Sequence, residues 1–256
     1  MEKDRPVEKS WMPMYLRAYD AVDEIKASVE AACPGIVSCA DILALAARDS
    51  TTISGGFSFP MPTGRRDALV SIVYDYTDLE HDVPSPYFKL QTLIDSFTSR
   101  GLGVDDLVAL SGAHSFGRSQ CFDVADRLYP SPAYPTTDQT MNATYADELK
   151  KVCPSRRSSY GAGDHIVLNN NRVTDPNVLS NQYYSNVLSG QVLFVSDQTL
   201  TSRNDTAAKV AFYAGNPLAW KVRFAAGLVK MGGLHVLTGT QGEIRKVCSA
   251  ANNQPQ

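Results

Sequence analysis

Apolar side chains along this chain recur at helical spacing far more often than in alternation. Leu16, Tyr19, Val22, Ile25 and Val29 fall three or four apart and predict an amphipathic helix over 16–32, ended by Cys33-Pro34-Gly35. Ser38, with Asp41 three positions on, opens a second helix in a capping-box pattern before the apolar run Ile42-Leu43-Ala44-Leu45, and Gly55-Gly56 closes it. Pro84-Ser85-Pro86 leads into a helix through Phe88, Leu93, Ile94 and Phe97 that stops at Gly101. Asp105-Asp106-Leu107-Val108-Ala109-Leu110 reads as a short helix with acidic residues in its first turn and Gly112 as its stop. A longer one, from about Leu218 to Met231, places Trp220, Phe224, Leu228 and Met231 on one face. Residues 57–63 predict a loop or a very short strand, and 131–140 and 154–165, rich in Pro, Ser, Thr and Gly, predict surface loops. Period-two patterns are scarce and no internal repeat is present, so the expected fold class is all-α.

Composition bounds the partners. A chain of 256 residues, 43% hydrophobic and 20% charged, can bury a core large enough for one domain or two closely packed lobes. A net charge of −3 and a pI of about 5.8 give no reason to expect nucleic acid. No apolar run approaches the roughly 18 residues of a membrane span, and the first residues, Met1-Glu2-Lys3-Asp4-Arg5-Pro6, lack the apolar core of a signal peptide. The cysteines point the other way. Cys33, Cys39, Cys121, Cys153 and Cys248 are an odd set, and the spacing of the first two is wrong for a CxxC zinc or redox motif. Two sequons, Asn142-Ala143-Thr144 and Asn204-Asp205-Thr206, also fit a secreted glycoprotein.

The richest stretch chemically is LSGAHSFGRSQC, residues 110–121. It sets His114 just past a short helix, followed by Phe116 and a tight turn at Gly117. A histidine there can serve structure, or it can offer a ring nitrogen to a metal or haem iron. Asp197, in Val195-Ser196-Asp197-Gln198, reads on its own as a turn or helix-cap residue.

In fixed order the chain also carries ACPGIVSCADILALAARDS at 32–50, GRRD at 64–67, NQYY at 181–184, SDQTL at 196–200 and MGGLHVLTGTQGEIRKVC at 231–248. Together with the His114 segment these closely resemble the secreted haem peroxidases of plants, the class III family, from about residue 20 to 250. The resemblance implies a haem peroxidase fold, two helical lobes around a haem b, with residues 1–256 forming a single domain incomplete at its N-terminus. It implies His114 as the axial iron ligand and Asp197 as the carboxylate that accepts from its other ring nitrogen. Phe116 is then expected near the proximal haem face, Gln120 near a propionate, and Pro84 at the entrance used by aromatic donors. Cys39 is expected to bridge to Cys248 and Cys121 to Cys153, leaving Cys33 unpaired. Arg65 and Arg66 are expected in structural pairing with Asp67 or a carbonyl, and His81, His165 and His235 at the surface or in packing. The implied reaction is hydrogen peroxide reduction coupled to one-electron oxidation of phenolic donors, by a monomer located outside the cell or in the vacuole.

Two departures qualify the resemblance. The family's proximal calcium site is matched by Ser115 and by Asp175 before Pro176, but Arg172 and Ser180 stand where carboxylates belong, and calcium needs six to eight oxygen ligands. A shifted register could recruit Asn171. The distal helix, with its histidine and arginine, would precede Glu2-Lys3-Asp4, and no FHDCF-like string occurs. The expectation is therefore a front-truncated chain. Loss of both distal groups would slow peroxide activation by roughly 10⁴–10⁷-fold. The alternatives are a non-catalytic haem binder and a haem-free fragment.

Overall fold

A computed structural model describes residues 19–70, 83–133, 135–153, 155, 166–168 and 175–253. The chain divides into two compact units, residues 1–83 with 229–256, and residues 84–228.

In the first unit, α1 (Tyr19–Ala32) and α2 (Cys39–Gly55) pack on each other. Leu16, at the start of the expected first helix, lies outside the described residues. The buried side chain of α1 is not from the apolar series: Ile25 is 43% exposed, whereas Lys26 is 1% exposed. Its ammonium reaches Glu30 Oε1 at 2.5 Å and the Val37 carbonyl at 2.6 Å, so the stem buries while the charge stays paired. Ser38 caps α2 as expected, its Oγ accepting from Asp41 N–H at 3.0 Å, and Gly56, at φ +67°, closes the helix by donating to Thr52 O.

The reciprocal half of the capping box is absent. The Asp41 carboxylate accepts instead from Gly64 N–H at 2.7 Å and from the Arg65 guanidinium at 2.9 Å. Arg65 thus pairs with Asp41 rather than Asp67, and also donates to the Gly232 carbonyl at 2.7 Å. Arg66 donates to the Gln241 carbonyl at 2.5 Å. Asp67 serves backbone: it accepts from the Cys39, Ala40 and Arg245 amides at 2.9–3.0 Å, placing a carboxylate at the α2 N-terminus where the helix dipole favours it. The Cys39–Cys248 disulfide crosses beside this junction. Cys33 is free and exposed.

The second unit holds α3 (Leu90–Ser99), α4 (Val104–Ser111), α5 (Ala125–Leu128), α6 (Ala143–Val152), α7 (Gln182–Leu188), α8 (Val195–Gln198) and α9 (Asn204–Gly215), with α10 spanning Pro217–Met231. One small antiparallel ribbon, β1 (Arg118–Gln120) with β2 (Ile166–Leu168), is the sheet among the described residues. Val124, Leu128, Met141, Tyr145, Leu149 and Leu193 pack around the Cys121–Cys153 disulfide. Arg127 is buried beside them, bonded to Asp138 at 2.8 Å and to the carbonyls of Val192, Leu193 and Phe194. On α10, Trp220 and Phe224 are buried as expected, but Met231 is 45% exposed, and Gly227 takes an inward place against Leu110.

The architecture is all-α, the class expected from the sequence.

Candidate haem site

His114 lies in a 3₁₀ turn, Gly112–Ser115, that continues directly from α4. Gly112 is the C-cap of α4, as expected, with φ −58°. Glycine is needed there because an added Cβ would meet Trp220 Nε1 at 2.6 Å and Tyr184 Oη at 2.8 Å. Those two groups hold the end of α4. Tyr184 Oη donates to the Val108 and Ala109 carbonyls, and Trp220 Nε1–H to Ala109 O at 3.1 Å, satisfying carbonyls a helix end leaves orphaned. After the turn, Ser115 Oγ accepts from Ser180 N–H at 3.0 Å. Gly117, at φ +90°, redirects the chain and donates to Pro176 O. The histidine is thereby fixed from both ends of its turn.

Asp197 sits on α8 and is 2% exposed. Its Oδ1 lies 2.8 Å from His114 Nδ1 and also accepts from Tyr183 Oη at 2.8 Å. Phe194 and Tyr183 stand edge-on to the His114 ring, at 5.2 and 6.3 Å between centroids. The imidazole is packed on these sides, yet its side chain keeps 43% of its surface accessible. Burial opposes charge on the ring, but the Asp197 carboxylate, by its charge and its hydrogen bond, outweighs that and raises the histidine pKa above its ordinary value. Burial, with Asp197 adjacent, pushes the Tyr183 phenol well above 10, so it remains a donor. With Nδ1–H directed at Asp197, the lone pair of a neutral ring resides on Nε2, which has no partner among the described residues.

The family profile described as Peroxidase matches residues 2–216. The chain belongs to the peroxidase family. It is 40% identical over 252 residues to "Peroxidase 5" of Vitis vinifera, covering 98% of this chain and 73% of that one. It is 40% identical over 255 residues to "Peroxidase 12" of Arabidopsis thaliana, with 97% and 66% covered. Against "Peroxidase 42" of Zea mays, it is 42% identical over 238 residues, with 93% and 68% covered. The chain thus spans about two thirds to three quarters of the length of these relatives. Membership makes it an oxidoreductase of the haem peroxidase class, with haem as the family cofactor and hydrogen peroxide and an electron donor as the family's substrates.

The residues present fit a haem. An imidazole oriented through Nδ1, with Nε2 unpartnered and its face open, is the donor an axial ligand must supply. Phe116, two residues on, is 42% exposed and offers an apolar surface beside it. Gln120 ends β1, half-buried, and its side chain makes no hydrogen bond among the described residues. Pro84 is half-buried; the carbonyl of Pro86 accepts from Ser196 N–H at 3.0 Å, tying this segment to the helix that carries Asp197. Asp175 is exposed, its carboxylate taken up by the Asn177 amide and side chain at 2.8 Å. Arg172, Asn171, His81 and His165 lie outside the described residues, and His235 is exposed.

Tyr183 and Phe194 were missed as site residues. The NQYY string was visible, but nothing local shows that its first tyrosine reaches an aspartate 14 residues on.

Proposed function

We propose that His114 holds the iron of a haem b and that Asp197 orients and enriches that ligand, within a protein that reduces hydrogen peroxide while taking single electrons from phenolic donors. The 2.8 Å bond from His114 Nδ1 to Asp197 Oδ1 carries this reading. A buried carboxylate accepting from the ligand's N–H fixes the tautomer and raises its basicity. Haem, when bound, supplies the redox chemistry. The protein's part is to hold Nε2 in place, and the packed faces of Phe194 and Tyr183 keep the ring from turning. Phe116 is proposed to meet the proximal haem face, Gln120 a propionate, and Pro84 the donor.

The proposal does not extend to calcium. Asp175 Oδ1 accepts from Asn177 and Ser115 Oγ from the Ser180 amide, and the resemblance places Arg172 where a carboxylate ligand belongs. Two disulfides support an oxidising compartment, outside the cell or in the vacuole, and no helix among the described residues is long and apolar enough to cross a membrane. A monomer suffices for the site, since His114 and Asp197 come from one chain.

The test is haem titration of the 256-residue chain beside His114→Ala, followed by peroxide-dependent guaiacol oxidation. A Soret band that the variant loses, with turnover, supports the proposal. A band that survives in the variant overturns the ligand assignment. A band without turnover favours the non-catalytic haem binder, and no band in either favours the haem-free reading.

A further inference from the structure

Two donors converge on one carboxylate oxygen. His114 Nδ1 and Tyr183 Oη each lie 2.8 Å from Asp197 Oδ1, and no hydrogen bond to Oδ2 occurs among the described residues. Tyr183 is fully buried on α7, with its ring edge-on to Tyr184 at 5.1 Å and to His114 at 6.3 Å. Its hydroxyl therefore cannot swing to water, and the bond to Asp197 is a fixed part of the site.

We infer that Tyr183 is a positioning residue that sets how strongly Asp197 draws on the Nδ1–H of His114. A carboxylate oxygen has two acceptor sites, and a phenol donating to one of them withdraws electron density from the other. With Tyr183 in place, Asp197 is a weaker acceptor toward the imidazole than a carboxylate bonded to the histidine alone. The ligand then carries less negative character, and the iron it binds is easier to reduce. Motif resemblance pairs Asp197 with His114 alone; the structure gives the carboxylate two partners with opposed effects. This inference rests on the reading of His114 as the iron ligand.

Tyr183→Phe is the test, since it keeps the ring and its packing and deletes only the donor. In the haem-loaded chain the ferric–ferrous equilibrium should shift toward ferric by about two- to tenfold, tenfold being roughly 59 mV for one electron. The iron–histidine stretch of the ferrous form should rise with it. Asp197→Asn should move both readouts the opposite way. In the haem-free chain, nitrogen-15 NMR of His114 should show the Nδ1 proton further downfield in Tyr183→Phe than in wild type. Unchanged potential, stretch and Nδ1 proton position, with only a lower Tm, would make Tyr183 a core residue and overturn the inference. Haem bound equally well by His114→Ala would instead sink the ligand reading, and the haem-free NMR comparison would still decide whether Tyr183 acts on the histidine.

Discussion

A methyl group on Gly112 would stand 2.6 Å from Trp220 Nε1, closer than any carbon settles against a nitrogen. The turn carrying His114 and the indole that bonds Ala109 are thus packed to contact with nothing to spare. Gly112→Ala must displace one of them. The expected cost is about 1–3 kcal/mol, as for other overpacked cores. Urea unfolding measures it, and the emission of Trp220 should shift to the red as the indole loses its carbonyl partner. An unchanged midpoint and spectrum would mean the turn yields freely.

Removing the Asp197 carboxylate leaves the His114 ring held by Phe194 and Tyr183 alone and free to exchange tautomers. Asp197→Ala should weaken haem affinity by about 10–100-fold, the usual effect of losing a partner behind a metal ligand. Titration of haem into wild type and variant, followed at the Soret band, reads this directly. Equal affinities would show that Phe194 and Tyr183 orient the ring without the carboxylate.

Asp138 makes the folded state sensitive to acid. Burial alone would raise its pKa, but bonds from the Thr140 hydroxyl and amide and from the Arg127 guanidinium bring it below the ordinary carboxylate value. A depressed carboxyl contributes stability that is present above its unfolded pKa of about 3.9 and is lost as pH falls through the lower folded value. Asp138→Asn leaves Arg127 charged and buried without its counterion, at a cost of about 3–5 kcal/mol near neutral pH. The gap between variant and wild type should narrow below about pH 4. Thermal unfolding from pH 7 to pH 3 tests the sign, and a gap that widens in acid would contradict it.

Helices were legible wherever local chemistry decides them. Ser38 and Gly56 mark α2 by capping and by a left-handed backbone, both readable within a few residues. Partners distant in sequence were not legible. Asp41 looked like half of a capping box because Arg65 is 24 residues away. The periodic apolar residues placed α1 but not its buried face, because Lys26 buries its stem when Glu30 and Val37 take the charge. For the site, motif resemblance singled out His114 and Asp197 together. Tyr183 escaped because its bond to Asp197 exists only after α7 and α8 are set side by side.

The thiols should separate cleanly. Cys121 and Cys153 are buried and bonded, Cys39 is bonded to Cys248, and Cys33 is free at the surface. One equivalent of thiol should react with Ellman's reagent in the native chain, and Cys33→Ser should abolish it. Replacing Cys121 and Cys153 together by alanine should cost about 2–5 kcal/mol in urea unfolding. More than one reactive thiol in the native chain would mean that a disulfide is not formed, and a thiol that persists in Cys33→Ser would place a disulfide elsewhere.

Asp67 binds the amides of Cys39 and Ala40 near one end of the chain and of Arg245 near the other. During synthesis the last of these leaves the ribosome 178 residues after the aspartate. At about 5–20 residues per second, that is a wait of about 10–35 s. All of residues 84–228 are made in the interval, while α2 stands without the strap that will close it. Throughout that interval the Asp67 carboxylate can serve Cys39 and Ala40 but not Arg245, so this junction is completed long after the helix it caps has been made.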